Sequence, residues 1–218
     1  MTGELVVLVH GLWMPGSEMA FVKHHLEKQH GFSGVLFSYP SVRGTLDENA
    51  ELLADFIGSM QPATANIVGH SLGGVVALRM HALNPGMPRG RVVCMGSPLC
   101  GSRAANLATR HGWGSAILGK SVAAGVVSDA ANEWATKVTE SRDVGCIAGT
   151  VPAGLGRIVA KFEEPSDGTV AVSETRLPGI RDHLEMEINH SGLVVSAKVA
   201  DQVAAFLKTG GFEKGGTP

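Results

Sequence analysis

One short stretch, residues 66–76, constrains the fold of this chain more than any other. It reads NIVGHSLGGVV, an apolar run that passes through Gly-His-Ser-Leu-Gly into a segment of small residues. We interpret it as a strand, a very tight turn at Ser71 and the start of a helix, with Gly69 and Gly73 leaving space for neighbouring backbone. Such a turn presents the serine hydroxyl beyond the end of the strand, so Ser71 is the predicted nucleophile. The alternative is a purely structural strand–helix turn.

The composition indicates a single domain that does not bind nucleic acid. The chain has 218 residues, of which 44% are hydrophobic and 17% charged, enough for one sizeable core and short for two. Its net charge is −2, and Lys and Arg are scattered, so no basic surface for nucleic acid is expected. Cys94, Cys100 and Cys146 lack metal-ligand spacing, and we expect Cys94 and Cys146 to be buried, reduced core residues.

Targeting signals are not evident in the sequence. Residues 1–4 lead directly into an apolar run without the basic and long apolar regions of a signal peptide. No apolar run approaches the roughly 20 residues that span a bilayer. We therefore expect a cytoplasmic protein with no stable membrane insertion, and the oligomeric state stays open.

Strand-like and helix-like segments alternate along the chain. The predicted strands are residues 5–9, 35–39, 65–68, 91–96, 143–149 and 182–189. The predicted helices are residues 17–30, 45–60, 73–83 and 194–208. This alternation predicts an α/β fold in one domain, with a mostly parallel sheet of about six strands, helices on both faces and the last strand at an edge. Residues 101–142, rich in Ala, Gly and Ser, are interpreted as a small, cap-like helical insertion.

A serine nucleophile needs a general base, and the position of the histidines along the strands separates the candidates. Functional sites in parallel sheets lie at the carboxyl ends of the strands. His183 stands at the start of the last predicted strand and His190 just beyond its end, so His190 is the predicted base. An ordinary loop histidine is the alternative. His10 also follows a strand, but we interpret it as shaping its loop.

The orienting carboxylate is expected between the insertion and the last strand, since triads in such sheets follow the order serine, acid, histidine. Asp167 lies there on a Pro-Ser-Asp-Gly-Thr turn and is the predicted acid, although Ser-Asp-Gly is also ordinary turn chemistry. Glu163 and Glu164 are nearby rivals. Asp129 lies inside the insertion and Asp143 at the wrong end of a strand, which makes both less suitable.

Two backbone N–H groups are needed to stabilise a developing oxyanion. Leu72 follows the nucleophile at the positive end of its helix, which makes its N–H one predicted donor. The loop after the first strand is expected to supply the other donor, and the N–H of Leu12 is our choice.

With these residues assigned, the chain resembles the α/β-hydrolase family, in particular small bacterial lipase- and esterase-like members. The shared motifs, in order, are His-Gly-Leu at 10–12, Gly-His-Ser-Leu-Gly-Gly at 69–74, Gly-Ser-Pro at 96–98, Asp-Gly-Thr-Val at 167–170 and His-Ser-Gly at 190–192. The resemblance implies that Ser71 is the nucleophile, His190 the base and Asp167 its partner, and that Leu12 and Leu72 form the oxyanion hole.

This chain departs from the family in two ways. It starts at what is usually the third strand, and its insertion is short and low in aromatic residues. A large hydrophobic lid and activation at an oil–water interface are therefore not expected.

The expected activity is that of a serine carboxyl-ester hydrolase, esterase- or lipase-like, that acts through an acyl-enzyme and needs no metal or organic cofactor. Its partner would be a small-molecule ester or lipid substrate. The residues expected to line an apolar acyl pocket, with an ordinary core role as the alternative, are Trp13, Met14, Trp113, Ile117 and Leu118. Rival functions are a long-chain triacylglycerol or phospholipid lipase, an amide or thioester hydrolase, and a non-catalytic binding scaffold.

Overall fold

One parallel sheet organises the part of the chain that the computed structural model describes, residues 4–101, 130–153 and 164–214. Its strands are β1 Leu5–Val9, β2 Ser33–Phe37, β3 Ala65–His70, β4 Val92–Met95, β5 Val144–Gly149 and β6 Asp182–Met186. They lie in the order β2-β1-β3-β4-β5-β6, and every neighbouring pair is parallel. The predicted α/β fold with a six-stranded sheet is confirmed, and β6 lies at an edge as expected.

Helices cover both faces of this sheet. They are α1 Ala20–His30, α2 Leu46–Met60, α3 Leu72–Leu83, α4 Ala130–Thr139 and α5 Ala197–Thr209, with 3-10 turns at Gly16–Met19, Val172–Thr175 and Ser191–Val194. Buried side chains of α2, α3 and α4 share one hydrophobic cluster, and those of α1 and α5 share another. A helical layer therefore buries each face of the sheet.

The continuous apolar run of β1 follows from burial on both faces. Val7 and Val9 belong to the cluster under α2 and α3, whereas Val6 and Leu8 belong to the cluster under α1 and α5. Successive side chains of a strand point to opposite faces, so a central strand of a covered sheet needs apolar residues at every position.

The boundaries of some elements differ from the sequence-based prediction. β2 begins at Ser33 rather than residue 35, because Ser33 and Gly34 pair with Leu5 and Val6 of β1 although their side chains carry no strand signal. The closing helix begins at Ala197, where the Ser196 hydroxyl accepts the N–H of Val199 at 3.4 Å.

The described end of the predicted insertion 101–142 forms a helix, α4, that packs on one face of the sheet. Ala135 and Val138 of α4 are buried in the same cluster as the core side of α3. On the adjoining surface, the guanidinium carbon of Arg79 lies 5.2 Å from the centroid of the Trp134 ring. This part of the segment therefore connects β4 to β5 across the sheet and does not form a cap, and residues 102–129 lie outside the described residues.

Cys94 and Cys146 are buried, free cysteines, as expected. They are register partners on β4 and β5, and burial raises the pKa of the Cys94 thiol to about 12. Across the described residues, no helix combines the length and the apolar character needed to cross a membrane.

The stability of this fold should depend on pH through His81. This α3 residue is 5% exposed, and neither ring nitrogen has a hydrogen-bond partner among the described residues. Burial, with a smaller contribution from Arg142, lowers the pKa of His81 to about 3. The unfolded chain therefore takes up this proton first, near pH 6.5, so the free energy of unfolding falls as the pH drops from about 6.5 towards 3, by at most about 1.4 kcal/mol per pH unit.

Urea unfolding of the wild type and of His81→Leu at pH 7, 6 and 5 tests this dependence. We expect the wild type to lose more stability than the variant over this range, because only the wild type carries the neutral, buried imidazole. An identical loss in both proteins would show that His81 does not carry this dependence.

Candidate active site

Ser71 occupies a strained turn between β3 and α3. Its backbone angles are φ 53° and ψ −121°, a region that residues with a side chain rarely adopt. The Ser71 N–H donates to the carbonyl oxygen of Met95 at 2.8 Å, which ties the turn to the end of β4. The side chain is half-buried. The predicted strand, tight turn and helix are therefore all present around this serine.

Two glycines permit the close packing that this turn requires. A Cβ on Gly73 would overlap the carbonyl oxygen of Val9 and lie 2.6 Å from that of His10. A Cβ on Gly69 would overlap the backbone of Gly73 and Gly74. The first turn of α3 thus lies directly against the end of β1, which brings the loop after β1 to the serine.

His190 and Asp167 form a hydrogen-bonded pair beside this turn. Nδ1 of His190 lies 2.7 Å from Oδ2 of Asp167, a carboxylate that is 1% exposed. The other oxygen, Oδ1, accepts the N–H groups of Thr169 at 2.8 Å and Val170 at 2.7 Å. Because the carboxylate accepts, Nδ1 of His190 carries a proton, and in a neutral imidazole with this tautomer Nε2 has the lone pair.

The backbone of the same two residues is also joined. The His190 N–H donates to the carbonyl oxygen of Asp167 at 3.0 Å. The loops after β5 and β6 are therefore held together by two bonds, one through the side chains and one through the main chain. The main-chain bond holds the two residues side by side, and the side-chain bond orients the imidazole ring.

Gly96, at the end of β4, lies between the serine turn and this pair. Its φ is +56°, and a Cβ there would lie 2.9 Å from Oδ2 of Asp167 and 3.1 Å from Nδ1 of His190. The residue before it, Met95, is the one that binds the Ser71 N–H. Ser71, Asp167 and His190 thus all follow strands at the same end of the sheet, where the carboxyl ends of β3, β5 and β6 lie.

The rival carboxylates and the rival histidine lie elsewhere or outside the described residues. Asp143 is at the start of β5, where it pairs with Arg91 at 3.2 Å and Arg181 at 2.9 Å. Nε2 of His183 lies 2.8 Å from Oγ1 of Thr175. Glu163 and Asp129 are not among the described residues, and Nδ1 of His190 contacts Asp167 rather than Glu164.

The backbone N–H groups of the loop after β1 differ in their partners. The Gly11 N–H donates to Oε2 of Glu18 at 2.8 Å, and the Trp13 N–H donates to Oγ of Ser41 at 3.2 Å. Within the described parts of the chain, the Leu12 N–H between them meets no acceptor. Leu72 is the first residue of α3, a position whose N–H has no acceptor within the helix. Neither N–H has an acceptor among the described residues, and their role as oxyanion donors stays a prediction.

His10 shapes this loop, in agreement with its interpretation from the sequence. Its Nδ1 donates to the carbonyl oxygen of Gly11 at 2.8 Å, and its Nε2 accepts the N–H of Tyr39 at 3.3 Å. The Tyr39 hydroxyl donates to the carbonyl oxygen of His10 at 3.0 Å, and the two rings stack with centroids 4.4 Å apart. Burial lowers the pKa of His10, in keeping with a neutral ring that uses both nitrogens in structural bonds.

Sequence reasoning missed Glu18. Its side chain is 6% exposed, and Oε1 lies 3.1 Å from Nδ1 of His70, the residue that precedes the serine. Nε2 of His70 in turn lies 3.2 Å from the carbonyl oxygen of His190. Burial alone would raise the pKa of Glu18, but His70 and the Gly11 N–H together hold it below its ordinary value. The sequence places Glu18 at the start of a predicted amphipathic helix, where an acid is unremarkable, so it carried no signal.

Two of the predicted pocket residues are strongly exposed. Trp13 is 56% and Met14 44% exposed, and both line a depression of about 480 Å³ whose other walls include Tyr39, Pro40 and Arg43. Trp113, Ile117 and Leu118 lie outside the described residues. Most of the residues that line this depression are apolar, and one of them, Trp13, follows Leu12 in the chain.

Comparisons with known proteins place the fold. The profile of the Alpha/beta hydrolase family matches residues 6–201. The mature form of a Bacillus licheniformis lipase is 18% identical, with 95% of this chain and 92% of that chain covered and a TM-score of 0.77. A metagenomic carboxyl esterase is 18% identical, with 95% and 76% covered and a TM-score of 0.66.

A more distant structure agrees with these two. The monoacylglycerol lipase of Paleococcus ferrophilus is 16% identical, with 95% of this chain and 96% of that chain covered and a TM-score of 0.56. No curated protein sequence matches the chain. Likeness at these identities shows the fold alone.

A side chain at position 96 should disrupt the acid–base pair. Gly96→Ala forces a residue with a Cβ into positive φ, at about 1–2 kcal/mol, and adds close contacts to Asp167 and His190. We expect a fall in the free energy of unfolding of at least that size and the loss or shift of the downfield NMR signal of the His190 Nδ1 proton. Gly86→Ala, where a Cβ meets open space, is the control and should keep both. An unchanged signal in Gly96→Ala would contradict this placement.

Proposed function

Because the chain belongs to the α/β-hydrolase family, we propose that it is a serine carboxyl-ester hydrolase that works through an acyl-enzyme. The observation that carries the proposal is the 2.7 Å hydrogen bond between His190 and Asp167. It lies at the same end of the sheet as the strained turn of Ser71. A buried carboxylate, an imidazole with one free nitrogen and a serine presented on a turn are the three groups that this chemistry requires.

In the first half-reaction, Oγ of Ser71 attacks the ester carbonyl carbon while Nε2 of His190 accepts the hydroxyl proton. The carbonyl oxygen becomes an oxyanion, which the N–H groups of Leu12 and Leu72 stabilise. His190 then delivers its proton to the leaving alcohol oxygen as the C–O bond breaks, and the acyl group stays on Ser71. Asp167 holds the Nδ1–H tautomer and stabilises the imidazolium.

In the second half-reaction, water takes the place of the serine hydroxyl. The water oxygen attacks the acyl carbon while His190 accepts a proton from that water. His190 then delivers the proton to Oγ of Ser71 as the bond between Oγ and the acyl carbon breaks. The products are the carboxylic acid and the regenerated serine. The chain's own residues supply every proton transfer in this cycle.

The exposed side chains beside the Leu12 N–H support a substrate with an apolar group. Trp13 and Met14 lie in the same loop as the proposed oxyanion donor, so an ester bound at Ser71 would reach the depression that they line. We assign this depression to the apolar part of a small ester or lipid substrate.

Removal of any triad member should abolish most of the activity. We expect Ser71→Ala and His190→Ala to lower kcat for p-nitrophenyl butyrate by about 10⁴-fold or more, and Asp167→Asn by about 10⁴-fold through the wrong tautomer. Stopped-flow release of p-nitrophenol should show a burst in the wild type, because this leaving group departs readily and makes acylation faster than deacylation. His183→Ala is the control histidine and should retain kcat. Retained turnover or a retained burst in Ser71→Ala would overturn the proposal.

Acyl-chain length should reveal the role of the exposed loop residues. Trp13→Ala is expected to raise KM about 10-fold for the octanoate ester and little for the acetate ester, because only the longer chain buries apolar surface against the ring. Phe21→Ala removes another exposed aromatic side chain, outside this loop, and serves as the control. Equal effects on both esters would remove Trp13 from the substrate site, and activity that keeps rising beyond about eight carbons would favour a long-chain lipase.

A further inference from the structure

A buried carboxylate lies behind the proposed oxyanion hole. Glu18 is 6% exposed, and Oε2 accepts the Gly11 N–H at 2.8 Å, one residue before the proposed donor Leu12. Among the described residues no Lys or Arg lies within ion-pair distance of it, and its titratable neighbour is His70. A buried carboxylate is costly unless its bonds are satisfied, so this arrangement needs a reason beyond packing.

The neighbouring ring fixes where a proton must lie. Nε2 of His70 is 3.2 Å from the carbonyl oxygen of His190, and a carbonyl only accepts, so Nε2 carries a hydrogen. Nδ1 of His70 faces Oε1 of Glu18 at 3.1 Å in an ion-pair contact without the alignment of a hydrogen bond. Burial lowers the pKa of His70, while its contact with Glu18 acts in the opposite direction, so the two side chains are coupled electrostatically.

These contacts join two loops that the proposed chemistry uses together. From the Gly11 N–H, the series passes through both oxygens of Glu18 and both nitrogens of His70 to the main-chain carbonyl of His190. The rings of His70 and His190 also touch, with centroids 4.6 Å apart. Ser71 lies between the two ends of this series, directly after His70.

The other side-chain bonds of the loop after β1 run in a different direction. Ser41 binds the Trp13 N–H, Ser38 binds the Gly16 N–H at 3.1 Å, and Tyr39 binds His10. All three partners follow β2, on the far side of β1 from the serine. In the described structure, Glu18 is the side chain of this loop that binds towards β3 and Ser71.

We propose that Glu18 is a positioning residue that, through His70, holds the Leu12 N–H and the His190 imidazole in register across Ser71. The inference rests on the proposed function, because it assigns Glu18 a role in that same site. Oxyanion donors and a general base act on one bound carbonyl, and a displacement of about 1 Å between them lowers the rate by about 10²-fold.

Substitution of Glu18 should separate kcat from KM. We expect Glu18→Ala to lower kcat by about 10- to 100-fold while KM changes by less than about twofold, since the ester-binding surface is untouched. Glu18→Gln should recover most of kcat, because its amide oxygen accepts the Gly11 N–H and its NH₂ donates to Nδ1 of a neutral His70. Glu18→Leu keeps the buried volume without these bonds and replaces the alanine variant if that variant is unfolded at the assay temperature.

The matched control is Glu27→Ala. The Glu27 carboxylate also binds an N–H seven residues away, that of Gly34 at 3.2 Å, but beside the amino end of β2. It should leave kcat unchanged. Wild-type kcat in both Glu18→Ala and Glu18→Leu, or a Glu18→Gln as slow as they are, would overturn the proposal.

Hydrogen exchange measured by mass spectrometry tests the connection without any turnover. Glu18→Ala should exchange faster in peptides covering residues 10–15 and also 188–194, whereas Glu18→Gln and Glu27→Ala should match the wild type in both. Faster exchange confined to residues 10–15 would contradict the connection to His190. If the wild type has no esterase activity, the proposed function fails, and the exchange result still decides whether Glu18 couples the two loops.

Discussion

The rest of the site depends on how α3 begins. Its first turn lies close against the end of β1, and the strained Ser71 joins it to β3. Holding Ser71 at positive φ costs about 1–3 kcal/mol, which the surrounding fold must supply. It does so by packing α3 against the central sheet and beside α2, and by leaving no side chain at Gly69 and Gly73. The same packing places the amino end of α3 at the end of the sheet where the strands finish.

Parallel pairing then brings the loops that carry the other site residues to that end of the sheet. The strands all run the same way, so the loops after β1, β4, β5 and β6 converge around the serine although they are far apart in the chain. Asp167 is buried and bonded through both oxygens, and His190 is bonded through its side chain and main chain. Glu18 and His70 extend the same principle to the loop that carries Leu12. Few of these side chains are therefore free to rotate.

The sequence predicted those parts of the fold and the site whose signal lies in a short stretch of neighbouring residues. Ser71 stands in a local pattern, and His190 could be separated from His183 by its place relative to one strand. The start of β2 was missed because Gly34 contributes pairing and no side chain. Glu18 was missed because its meaning lies in contacts with Gly11 and His70 across the fold. The described part of the predicted cap proved to be a core helix, since short apolar spacing does not distinguish a helix on the sheet from one above it.

The most direct test of the central claim is the intact mass of the protein after incubation with a fluorophosphonate probe, followed by peptide mapping. We expect one adduct, on Ser71, that is absent from Ser71→Ala and forms far more slowly on His190→Ala, because the probe reacts with a serine whose hydroxyl proton has an acceptor. A folded wild-type protein that takes up no probe, or that carries the adduct on another residue, would contradict it.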